Sequence, residues 1–149
     1  MTSRLTSARL ATVLALAAGF ATVAHADDSA ALAAAAKEPG AVVTPSGLVF
    51  KPIKEGTGAS PKATDTVKVW YRGAFPDGKV FDESRGGPIP LPLNGVIKCW
   101  TEGVQMLKVG GKAKLTCPSA IAYGARGAGG VIPPNATLVF EVELVAIAN

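Results

Sequence analysis

The chain has 149 residues, 48% hydrophobic and 17% charged, which is enough for one domain with a core and too apolar for a disordered polypeptide. Its formal charge of +4 falls to +2 once the N-terminal segment carrying Arg4 and Arg9 is set aside, a balance too weak to predict a nucleic-acid partner. His25, the single histidine, lies on that same segment, so a chain processed there has no Ser/His or Cys/His catalytic pair and no imidazole to bind metal.

Arg4 and Arg9 precede an uncharged run over residues 10–23, and Ala24-His25-Ala26 follows in the small-x-small form that signal peptidase cuts. This predicts a signal peptide over residues 1–26 and a periplasmic protein with no membrane attachment after cleavage. The other reading, a spanning anchor, needs about 20 apolar residues. Residues 27–43 begin as an alanine-rich stretch that favours helix but has little bulk to pack, so a frayed helix or tether is expected. Pro39-Gly40 and Pro45-Ser46-Gly47 punctuate the chain beyond it, and the folded domain is expected over residues 44–149.

Leu48 to Ile53 reads as an edge strand, because Pro52 cannot donate to a central ladder. In the next strand, Val67 to Arg72, alternation turns Val67, Val69 and Tyr71 inward and Lys68, Trp70 and Arg72 outward. Asp77-Gly78 is a hairpin signal, so Val80-Phe81-Asp82 should pair back on that strand. The proline-rich run Arg85 to Pro92 reads as a loop. Ile97, Trp100, Val104 and Leu107 then recur at three- and four-residue steps, which predicts one short helix with one buried side, stopping at Gly110-Gly111. Ala113, Leu115 and Cys117 face inward on a further strand, as do Leu138, Phe140, Val142 and Leu144 on the last one, Thr137 to Ile147. Between them, residues 121–134 form a long glycine-rich loop that runs into Pro133-Pro134 and a strand, not into the helix N-terminus a phosphate cradle requires. No internal repeat and no metal-ligand spacing occurs. The class is α+β: an antiparallel sheet, a half-barrel, wrapped over one short helix.

Tyr71, Phe81, Trp100 and Phe140 all fall on inward positions, and Tyr123 stands at the mouth of the long loop. They are either core or the wall of an apolar pocket with a few polar groups, and composition alone does not choose.

Tyr71-Arg72-Gly73, Asp77 to Ser84, Val96 to Gly103, Ala122 to Ala125 and Ile132 to Leu144 together resemble, in order and spacing, the FKBP-type peptidyl-prolyl cis/trans isomerases. The likeness runs from about Thr44 to the end of the sequence, and the family fold agrees with the sheet-over-helix expectation. Carried over by residue, it implies Trp100 as a pocket floor, with Tyr71, Phe81, Val96, Ile97, Tyr123, Ile132 and Phe140 as walls. It also implies Asp82 as a buried carboxylate, and the Ile97 N–H and Tyr123 hydroxyl as donors to substrate or macrolide carbonyls. Leu91 stands where many relatives have phenylalanine, and Ala128 replaces a bulkier residue.

Cys99 departs from the glycine common before that tryptophan, and Cys117 lies close by in the family fold. They are either two buried thiols or a disulfide, which an oxidising compartment favours. The resemblance implies an enzyme that rotates Xaa-Pro bonds in folding proteins, with macrolide inhibitors as ligands, no cofactor and no metal. A module or chaperone that only holds proline-containing chains is the alternative. A monomer is expected.

Overall fold

The computed structural model describes residues 29–148, so the expected signal segment, its cleavage site and His25 lie outside the described residues. Residues 29–36 form a first helix, α1. Seven strands follow, all paired antiparallel in one open sheet: β1 (Val42–Val43), β2 (Val49–Lys54), β3 (Thr66–Ala74), β4 (Val80–Glu83), β5 (Ile89–Pro92), β6 (Lys112–Cys117) and β7 (Leu138–Ile147). Their order is β1-β2-β6-β7-β3, and the last edge is shared: β5 pairs with the first half of β3 and β4 with the second. Helix α2 (Lys98–Gln105) lies on the apolar face.

The segments that alternate in twos become strands because each has one side to bury. Val67 and Val69 on β3, Ala113, Leu115 and Cys117 on β6, and Leu138, Val142 and Leu144 on β7 are all fully buried, while Trp70 points to solvent. Trp100, Val104 and Leu107 turn toward the sheet, burying the predicted stripe. The approach is close because Gly103 has no side chain: a Cβ there would lie 2.8 Å from Leu115 Cδ1. A disulfide joins Cys99 on α2 to Cys117 at the end of β6, with 5.9 Å between their Cα atoms.

Four local expectations change. The helix ends at Gln105, with the Met106 N–H still donating to Gly103, several residues before the predicted glycine stop. Gly110, at φ +93°, instead makes the turn into β6, where its N–H donates to the Leu144 carbonyl at 2.8 Å and the Gly111 carbonyl accepts from Leu144 at 2.9 Å. The proline-rich run is not all loop, since Ile89–Pro92 is β5. Pro90 and Pro92 are two residues apart and so share one side, and a strand paired only to β3 can turn both nitrogens to its open edge. Pro52 does not lie on an outermost strand, yet β1 opposes only Val49 and Phe50, so the ladder on that side has ended before the proline.

The alanine-rich stretch is docked as well. Ala35 is buried, and Glu38 just beyond α1 accepts from Lys51 on β2 at 3.2 Å and from Lys114 on β6 at 2.6 Å. Those two lysines oppose each other across the β2–β6 ladder, and one carboxylate between them relieves their repulsion.

Candidate active site

At the shared edge of the sheet, strands β3, β4, β5 and β7 and helix α2 converge on a cavity of about 430 Å³. Tyr71 reaches it from β3, Phe81 and Asp82 from β4, and Phe140 from β7. The hairpin positions the first three: Ser84 donates its N–H to the Tyr71 carbonyl and accepts the Tyr71 N–H at its Oγ, both at 3.0 Å. Gly78, at φ +94°, closes the turn, as the Asp-Gly pair predicts.

Trp100 is the floor. Tyr71 and Phe140 meet its ring edge-on, each with centroids 5.3 Å away, and Phe81 meets Phe140 in the same manner at 5.7 Å. Edge-to-face contacts are the favourable arrangement for aromatic quadrupoles, so the rings hold one another in place. Val96 and Ile97 form the wall at the start of α2, and the Ile97 N–H is outside the backbone hydrogen bonds of the described residues. Thr101 anchors this wall by donating its hydroxyl to the Leu93 carbonyl in the short turn before the helix. Leu91 and Ile89 on β5 close one side, and Tyr123 stands half-exposed at the mouth.

The polar side chains lining the cavity are Tyr71, Asp82 and Tyr123. The Tyr71 hydroxyl donates to Asp82 Oδ2 at 2.6 Å. Burial raises the Tyr71 pKa to about 12, helped by the accepting Asp82 carboxylate and by nearby Tyr123, so Tyr71 remains a donor throughout the physiological range. Asp82 itself is an exposed residue, in contrast to the buried carboxylate implied by the resemblance, because β4 is a short edge strand beside the opening.

The structure thus brings together Tyr71, Phe81, Asp82, Leu91, Val96, Ile97, Trp100, Tyr123 and Phe140. Ile132 is not among them: it is buried within the long loop, where its backbone pairs with Ala128, and it lines a neighbouring cavity. Two lining residues are missed by sequence reasoning. Ile89 lies within the run predicted as loop, although its spacing from Leu91 is a strand signal, and Gly95 carries no signal of its own. The disulfide is anchored on the same helix as the floor, since Cys99 immediately precedes Trp100 on α2.

A sequence profile described as FKBP-type peptidyl-prolyl cis-trans isomerase matches residues 58–145, more than half of the chain. The chain belongs to this family. The FKBP-type isomerase FkpA of Aeromonas hydrophila is 58% identical over 118 residues, covering 78% of this chain and 44% of that protein. The FKBP-type 22 kDa isomerase of Escherichia coli K12 is 53% identical over 114 residues, covering 75% of this chain and 55% of its own length. The chain therefore spans about half the length of the curated relatives it matches. It spans the whole of a peptidyl-prolyl cis-trans isomerase crystal structure from Pseudomonas syringae pv. tomato, with TM-score 0.81, 37% identity and 93% of this chain covered. The FKBP-type fold is thus common to sequence and structure comparisons.

Proposed function

We propose that this FKBP-type domain accelerates cis/trans rotation about Xaa-Pro bonds in proteins folding in the periplasm. The observation that carries this reading is the Trp100-floored cavity, lined mainly by apolar and aromatic side chains with Tyr71, Asp82 and Tyr123 as its polar ones. Amide resonance sets a barrier of about 20 kcal/mol to rotation, and folding chains wait on it for roughly tens of seconds. No bond is made or broken. A twisted amide has lost its conjugation and part of its charge separation, so a dry, ring-lined pocket favours it over the planar ground state.

In this reading Trp100, Phe81 and Phe140 shape the twisted proline, and Val96 and Leu91 confine it. The Ile97 N–H and Tyr123 hydroxyl hold the flanking carbonyls. The Tyr71–Asp82 pair fixes one side of the opening, and macrolide inhibitors of FKBP-type enzymes would fill the same cavity. The periplasmic setting rests on the predicted signal; an intact Met1 in secreted protein, detected by mass spectrometry, would count against it.

The deciding experiment is refolding of a model protein limited by proline isomerisation, with and without the domain. Catalytic amounts should speed the slow phase. Absence of acceleration at stoichiometric excess, with peptide still bound, would leave only a holding module.

A further inference from the structure

A second cavity, of about 540 Å³, lies beside the first, between the β3–β4 turn and the loop that follows Tyr123. Phe75 forms its inner wall, with its ring centroid 5.1 Å from that of Phe81, which lines the Trp100 cavity. The two are therefore neighbours through a pair of touching rings. An extended chain advances about 3.3 Å per residue, so a peptide with proline over Trp100 would reach the second cavity within about two to four residues.

Its charge is one-sided. The ionisable side chains lining it are Lys79 and Arg126, both exposed, and neither belongs to an ion pair among the described residues. The nearby Asp77 carboxylate turns to its own hairpin, accepting the Lys79 N–H at 2.9 Å. Arg126 is held at a set place relative to the site, because the next residue, Gly127, donates its N–H to the Tyr123 carbonyl at 3.2 Å. Gly127 has φ +69°, and a Cβ there would collide with the Ile132 carbonyl, so that turn has little freedom.

On the isomerase reading above, we infer that this second cavity is a client subsite selecting an acidic side chain about two to four residues from the proline, with Lys79 and Arg126 as the specificity-determining residues. Charge complementarity and continuity with the Trp100 cavity commit the occupant to the client's own flanking segment. Two exposed cations supply modest attraction, so the preference is a few-fold and screened by salt.

The test uses short peptides built on Leu-Pro, with Asp, Asn or Lys at successive positions on either side. Affinity is read from tryptophan fluorescence and turnover from NMR exchange. At the matching position the Asp peptide should bind about threefold more tightly than the Asn peptide at low salt, and the gap should close at high salt. Lys79→Gln with Arg126→Gln should remove the gap while leaving the Asn peptide unaffected. Lys79→Glu with Arg126→Glu should transfer the preference to the Lys peptide. Equal affinity for Asp and Asn at every position, or a preference that survives the double glutamine variant, overturns the subsite. If the Asn peptide is turned over in that case, the isomerase reading still stands; if no peptide is bound or turned over, both fall together.

Discussion

A Cβ at Gly73 would lie 2.7 Å from Phe81 Cζ and 2.8 Å from Phe140 Cε1, so these two rings meet only because β3 has no side chain between them. Gly73 opposes Asp82 on one side and Phe140 on the other, which places the gap directly behind the cavity wall. Gly73→Ala should therefore cost about 1–3 kcal/mol of stability through overpacking. It should also lower kcat/KM more than Gly86→Ala, where an added Cβ meets nothing within 4 Å and the cost is backbone strain at φ +78°, away from the cavity. Equal activity in the two variants would show that the Phe81–Phe140 contact does not matter to turnover.

Proton transfer can be tested at the same scale. Among the described residues there is no histidine, both cysteines are bonded, and Tyr71 is pushed up to about 12. Efficiency on a short Xaa-Pro peptide should accordingly be flat from about pH 6 to 8.5, a range in which no imidazole or thiol of these residues can act as acid or base. Trp100→Ala, Phe81→Ala and Tyr123→Ala should each cost more than the near-isosteric Asp82→Asn. A bell-shaped profile near neutrality that Asp82→Asn abolishes would replace the desolvated-pocket mechanism with proton transfer.

At the scale of elements, α2 is fastened to β6 twice, by the close approach of Gly103 to Leu115 and by the Cys99–Cys117 disulfide. Helix propensity alone favours Gly103→Ala by about 0.8–1 kcal/mol. Packing should reverse the sign: with the new Cβ 2.8 Å from Leu115 Cδ1, the helix must move away from the sheet, carrying Trp100 with it. Denaturant unfolding should show net destabilisation, and an increase in stability would mean that Leu115 yields instead. Opening the disulfide, which closes a loop of sequence separation 18, should cost about 3 kcal/mol in the chain-entropy account. Chemical denaturation of Cys99→Ala/Cys117→Ala against the oxidised protein measures it.

For the whole molecule, the segment before β2 belongs to the folded unit, and its acid response is predictable. Hydrogen bonding from Lys114, followed by that from Lys51 and the charges of both, outweighs desolvation and holds the Glu38 pKa below its ordinary 4.5. A depressed carboxyl pKa contributes stability that is fully present above the unfolded value and is lost as pH falls through the folded one. Glu38→Gln should therefore destabilise by up to about 1 kcal/mol at neutral pH, and the difference should shrink below about pH 4.5. Parallel stability curves for the two proteins across that range would exclude the linkage.

The strands that alternate, the buried stripe of α2, the Asp-Gly hairpin and most of the cavity's side chains were legible from the sequence by itself. Residues 67–72, 112–117 and 137–147 carry a period of two, and residues 97–107 carry helical spacing, because each must bury one face. The family motifs added the expectation of Trp100 as floor, Tyr123 as a donor and Asp82 as a buried carboxylate, the last of which the structure corrects. What the local pattern could not decide depends on partners distant in sequence. Pro90 and Pro92 are acceptable in a strand only because β5 is an edge against β3. Ala35 and Glu38 are docked only because Lys51 and Lys114 stand together across a ladder joining residues more than 60 apart. Asp82 is exposed because β4 is a short edge strand, and Ile132 is buried within its own loop, where its backbone pairs with Ala128. Periodicity records the side a residue turns, which short-range geometry sets; the neighbour waiting on that side is chosen by strand order, and only the tertiary structure contains that choice.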